Sequence, residues 1–145
     1  MGNVLRLAQR PAISVPKDAS VREATRTMVD NRIGAVLVYD GGTPAGIFSE
    51  RDVMGRVVLS AKDPETTRVG DVMTAPLLTY PSIGSARDAK TLMLDRHIRH
   101  LPVTGEDGAV LGMLSMRHLM QDQIEDLKDE VDALDAYAGY DGATG

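Results

Sequence analysis

The chain has no cysteine, no tryptophan and only three histidines among its 145 residues. Without cysteine there is no disulfide, no thiolate zinc site and no thiol nucleophile, while a reducing compartment stays open. Cationic side chains are the minority, 16 Lys and Arg against 21 Asp and Glu, for a net charge of -5. That balance repels a polyanion and argues against nucleic acid as a partner. No apolar run nears the roughly 18 residues that span a bilayer, so no membrane partner is expected. The start, Met1 to Leu7, lacks the apolar core and small-residue cleavage site of a signal peptide, which makes cytoplasmic the default compartment. There is no glycine-rich phosphate loop, dinucleotide fingerprint or Ser-His-Asp elbow. Any phosphate would have to be held by side chains and a helix end, and no enzyme chemistry is expected. An apolar fraction of 43% and a charged fraction of 26% are those of a soluble globular protein large enough to bury a core.

What the chain does contain is itself, twice. At an offset of 65 residues Pro11 meets Pro76, Pro16 meets Pro81 and Ser20 meets Ser85. Arg22, Ala24, Met28, Asp30, Ile33 and Val38 likewise meet Arg87, Ala89, Met93, Asp95, Ile98 and Val103. One extra residue in the second copy makes the offset 66, after which Gly46, Ser49, Arg51 and Met54 meet Gly112, Ser115, Arg117 and Met120. Duplication implies two similar units, neither able to bury its apolar face alone, packed about a pseudo-twofold axis.

Each copy reads β-α-β-β-α. A short strand at Ile13-Ser14-Val15 (Leu78-Thr79-Tyr80 in the second copy) leads through proline into a helix opened by a capping box, Ser20 to Glu23 and Ser85 to Asp88. Ala24, Met28 and Val29, then Ala89, Met93 and Leu94, fall at helical spacing and predict one buried stripe. Strands follow at Ala35–Tyr39 and Pro44–Phe48, separated by Gly41-Gly42, and at Leu101–Thr104 and Ala109–Leu114, separated by a turn ending in Asp107-Gly108. A second helix starts at Ser49 and again at Ser115. The expected boundaries are 1–59 for the first repeat with its N-terminal segment, 60–75 for a linker, 76–122 for the second repeat, and 123–145 for an acidic amphipathic helix with a frayed tail from Gly139. Val69 to Met73 reads as a short helical turn ahead of the second repeat. In the last helix Met120, Ile124, Leu127, Val131, Leu134 and Ala138 form an a/d heptad seam, suited either to a partner subunit or to the chain's own module.

Ser49-Glu50-Arg51-Asp52 is first of all a capping box. It also follows a strand directly, which opens the serine and a helix N-terminus onto a sheet edge, a setting suited to phosphate. A carboxylate one turn into that helix can accept from two vicinal hydroxyls of a ribose. Arg99 and His100 are two cations near a helix C-terminus; they either complement its dipole or meet an anion. Arg51 reads as an exposed helical arginine or as a group at a pocket mouth. His97, His100 and His118 lie on different elements with no carboxylate at ligand spacing, so no metal site is expected.

The duplicated unit, the phrase Gly46-Ile47-Phe48-Ser49-Glu50-Arg51-Asp52 and the segment Arg96 to Val103 resemble the CBS-domain pair, or Bateman module, in its stand-alone bacterial and plant-organelle form. The resemblance covers about residues 10–122 and implies an α/β fold of tandem CBS domains, with a C-terminal helix beyond it. It implies a non-catalytic module that binds adenine nucleotide, most often AMP, in clefts between the repeats and regulates a partner, commonly as a homodimer. ADP, ATP or NAD(H) is the alternative ligand, and a structural dimer with vestigial clefts the alternative role. Carried over by position, Ser49 would meet the phosphate end, Asp52 the ribose hydroxyls, and Ile47, Pro76 and Leu77 the adenine. Arg99 and His100 would meet the phosphate, with Arg51 at the mouth. In the second cleft His118 replaces the ribose-binding aspartate, and Gly34 and Ala35 stand where Arg99 and His100 would be. Pro11, Ala12, Met113 and Ser115 would line what remains. The expectation is one nucleotide per chain.

Overall fold

In the computed structural model, which describes residues 4–144 and the side chains of residues 4–139, two three-stranded sheets carry the duplication. The order is α1 (Val4–Leu7), β1 (Ser14–Pro16), α2 (Val21–Asn31), β2 (Ala35–Asp40), β3 (Thr43–Ser49) and α3 (Glu50–Asp52), which runs into a π-helical turn, Val53–Val58. Then come α4 (Val69–Val72), β4 (Tyr80–Pro81), α5 (Ala86–Asp95), β5 (His100–Thr104), β6 (Val110–Ser115) and α6 (Met116–Thr144). In each sheet the first strand pairs parallel to the second, which pairs antiparallel to the third. The expected fold class is the one observed. No helix of the described residues is long and apolar enough to cross a membrane.

Ser20 and Ser85 cap α2 and α5, each accepting from the backbone N–H three residues on at 3.1 Å. Both helices end the same way: Arg32 takes a left-handed conformation (φ 54°), and so does His97 (φ 56°), one residue past its own cap. The next amides, Ile33 and Ile98, close back onto Met28 and Met93 at 3.0 Å. The buried face of α2 is Val21, Ala24 and Met28, and that of α5 is Ala89 and Met93. Val29 and Leu94, expected in that stripe, are instead 69% and 56% exposed. Each lies 100° round the helix from its buried neighbour, which turns it to the outer face.

Each repeat lends its leading segment to the other. Val4, Leu5, Leu7 and Ala8 pack into the second core, with Tyr80, Met93, Leu101 and Leu114. Val69, Val72 and Met73 pack into the first, with Val36, Val38 and Phe48. The N-terminal segment therefore packs on the core of the second repeat and α4 on the core of the first. Two backbone bridges make the exchange. Thr74 N–H donates to Ile47 O at 2.7 Å and Ile47 N–H to Thr74 O at 3.0 Å, and Gln9 and Met113 exchange the equivalent pair at 2.8 and 2.9 Å.

Those bridges explain the glycines of the repeated phrase. A Cβ on Gly46 would lie 2.6 Å from Thr74 O, and one on Gly112 2.6 Å from Gln9 O. Only glycine lets the crossing strands come this close.

The two copies diverge after the third strand. In the first, the α3 hydrogen-bond ladder widens into i to i-5 bonds, such as Leu59 N–H to Met54 O at 2.9 Å. In the second, the helix runs on through Thr144 as α6, including the tail expected to fray. Leu119 is buried on the module, but Ile124, Leu127, Val131 and Leu134 are exposed, so the seam does not fold back.

Candidate functional site

Between the crossed segments lies a cavity of about 560 Å³, within the size range of small-molecule sites. Ile47 and Ser49 come from the end of β3, and Arg51 and Asp52 from α3. Pro76 and Leu77 come from the segment behind Thr74, and Arg99 and His100 from the start of β5. All eight line this one cavity, which sequence reasoning had grouped from both repeats. Thr74, Leu78, His97, Ile98, Glu50 and Met54 complete the lining and were not anticipated.

Asp52 is the anchor, only 6% exposed. The full capping box is formed: Ser49 N–H donates to Asp52 Oδ2 at 3.0 Å, and Asp52 N–H donates to Ser49 Oγ at 3.4 Å. Thr74 Oγ1 donates to Asp52 Oδ1 at 3.0 Å, which ties the carboxylate to the crossing segment. Arg56 Nε stands 3.7 Å from Oδ1, one turn on, while its Nη1 donates to Met73 O at 2.6 Å. The Arg56 contact was legible as an i, i+4 pair; Thr74 had no signal beyond lying two residues before Pro76. A carboxylate offers about four acceptor positions, so Oδ1 keeps capacity toward the cavity. Because α3 has only three residues before the π turn, the dipole once expected to favour phosphate is short.

The far wall carries the basic side chains Arg51, Arg99 and His100. Arg51 Nη1 donates to His97 O at 3.1 Å, so this arginine is exposed, lies at the mouth and bridges the repeats. His100 is held below the ordinary histidine value, chiefly by burial and also by Arg99 and His118, with Glu50 opposing. In the free protein its imidazole is therefore neutral at pH 7.

The second cleft opens into a larger cavity of about 880 Å³. Met113, Ser115, His118, Gly34 and Ala35 line it as expected, whereas Pro11 and Ala12 do not. Ala12 has a methyl where the first cleft has the longer Leu77. Basic side chains nonetheless reach this cleft from other positions. Arg32 and Arg117 line it, and Arg99 and His100 line both cavities. Ser115 Oγ still accepts from His118 N–H at 3.2 Å, but among the described residues no bond returns from the imidazole to the Ser115 backbone. No cluster of described residues has the make-up of a metal site.

Comparison with known proteins decides the family. The CBS domain model matches twice, over residues 4–59 and 69–125. The chain belongs to the CBS-domain family. This CBS pair is 32% identical over 130 residues to the mitochondrial CBS domain-containing protein CBSX3 of Arabidopsis thaliana, covering 85% of the chain and 63% of that relative's length. The chain thus spans less than two thirds of that relative. Among solved structures, a CBS-domain protein from Burkholderia ambifaria superposes with a TM-score of 0.79 at 34% identity, covering 85% of this chain and 92% of the other. A CBS domain protein from Pyrobaculum aerophilum, crystallised with AMP, superposes with a TM-score of 0.73 at 27% identity, covering 81% and 89%.

Proposed function

We propose that this CBS pair is a non-catalytic regulatory module that binds one adenine nucleotide per chain, AMP, in the 560 Å³ cavity, and reports its level to another protein. The observation that carries the reading is the convergence on that cavity of an apolar slot and a buried carboxylate with the basic pair Arg99 and His100 of the second repeat. Ile47, Pro76 and Leu77 enclose the adenine, the free face of Asp52 Oδ1 accepts from the ribose, and Arg99 and His100 face the phosphate. A related CBS protein solved with AMP supports the choice of nucleotide. Single occupancy rests on two features. His118 offers no carboxylate to a second ribose, and Arg99 and His100 are shared by both cavities, so one phosphate engages them at a time.

The sharing also favours a second reading, in which the longer phosphate chain of ADP, ATP or NAD(H) reaches across toward Arg32 and Arg117. A structural module with vestigial clefts is the competing role, and the capping box that Asp52 completes without any ligand favours it. Two chains also pair in this proposal. Val29 and Leu94, and Met54 and Met120, are duplicate positions that leave the same apolar face exposed on both repeats. Calorimetric titration with AMP, ADP, ATP and NAD(H) separates the readings. AMP at one per chain is the expected result, and no heat with any of them would leave only the structural role.

A further inference from the structure

Where α6 lies on the module, its polar groups are met by bases: Arg6 Nη2 is 3.2 Å from Asp122 Oδ1, and Lys90 Nζ donates to Gln123 Oε1 at 2.8 Å. Beyond Gln123 the pattern stops. Glu125, Asp126, Asp129, Glu130, Asp132 and Asp135 have no ion pair among the described residues, and Lys128 is the only base of that stretch. Along the same surface run Ile124, Leu127, Val131 and Leu134, between 53% and 67% exposed. An apolar stripe of this length held open to water is unfavourable for an isolated helix, and patches of this kind mark interaction sites.

We infer that the free part of α6 docks a basic amphipathic helix of another protein, with apolar side chains on the seam and lysines or arginines against its acidic flanks. Charge selects that occupant over a second copy. Residues 122–135 carry seven carboxylates and one lysine, so self-pairing would set two strongly acidic helices side by side. A parallel seam would also bring Glu130 of one helix against Asp135 of the other, a like-charge contact at the flanking positions. The basic partner removes both conflicts and continues the acid-to-base matching already made by Arg6. The inference does not depend on the nucleotide reading, since no residue of the 560 Å³ cavity lies on this stretch.

The probe is a fluorescein-labelled 21-residue synthetic peptide with leucine at the seam positions and lysine or arginine beside them, titrated with the full chain and no nucleotide. A scrambled peptide of the same composition is the control. Saturable binding at least tenfold tighter than the control is expected, weakening as salt rises. Leu127→Ser with Val131→Ser, and separately Glu130→Lys with Asp135→Lys, should each lower affinity tenfold or more, with melting temperature and AMP binding unchanged. Equal binding of the scrambled peptide would reduce the effect to charge attraction and overturn the inference, as would no binding at all. So would a full-chain dimer in sedimentation that the Leu127→Ser, Val131→Ser variant dissociates, because the occupant would then be a second copy.

Discussion

Asp52→Asn separates the two jobs that the structure gives to one carboxylate. As a cap, Asp52 accepts from Ser49 N–H and Thr74 Oγ1 at 3.0 Å each. An asparagine keeps one carbonyl acceptor of the same shape, so most of that role survives. The weakened bonds, with the exposed Thr74 hydroxyl free to turn to water, should cost about 1 kcal/mol of stability. For a chain of 145 residues that is a fall of roughly 2–4 °C in melting temperature. As a ribose acceptor the carboxylate cannot be so replaced. Hydrogen bonds to a charged acceptor contribute about 1.5–3 kcal/mol each, and weakening two of them should cost roughly 2–4 kcal/mol of AMP affinity. At 1.4 kcal/mol per tenfold, that is a loss of about 30- to 1,000-fold. Calorimetry gives the affinity and differential scanning the stability on the same samples. A variant that melts a few degrees lower yet binds AMP like the parent would show that Asp52 is a cap only. The ribose assignment would then fall.

Burial holds His100 neutral in the free protein, so AMP binding should take up a proton, and affinity should strengthen as pH falls through and below about 6.5, beyond the phosphate's own titration. Titration in buffers of different ionisation enthalpy measures that uptake, and His100→Gln should abolish it. The lowered value has a stability consequence of definite sign. The unfolded chain takes the proton more readily, so the stability linked to this group is complete above about pH 6.5 and declines below it, which urea titrations across that range would reveal. Gly46→Ala and Gly112→Ala, whose Cβ atoms would meet backbone carbonyls at 2.6 Å, should each destabilise the fold by about 1–3 kcal/mol. Only Gly46→Ala should also weaken AMP, because its bridge shapes the occupied cleft. Ending the chain after Asp122 should preserve the ligand-induced stabilisation, about 2.7 kcal/mol at a hundredfold excess over Kd and read as a rise in melting temperature, since no lining residue lies beyond that point.

The duplication made the fold readable, because matched prolines, serines and glycines fixed two copies of the same element order before any packing was known. The eight cleft residues were readable for the same reason, joined to a family resemblance. What escaped the sequence were relations between the copies. Nothing local to Val4 or Val69 shows that each is buried in the other repeat's core, since that depends on how the halves cross. Thr74 gains its importance only because the Ile47 bridge sets its hydroxyl against Asp52. Val29 has the hydropathy of a core residue, and only the true phase of α2 turns it outward. Arg99 and His100 were assigned to one cleft because pattern matching cannot show that one side chain lines two cavities.

The central claim is one AMP per chain, seated between Asp52 and His100, and a crystal structure of the complex with excess AMP tests it most directly. The account predicts adenine against Ile47, Pro76 and Leu77, ribose hydroxyls on Asp52, phosphate beside Arg99 and His100, and no nucleotide against His118. Nucleotide held in the cavity of His118 and Arg32, with the Asp52 cleft empty, would contradict it.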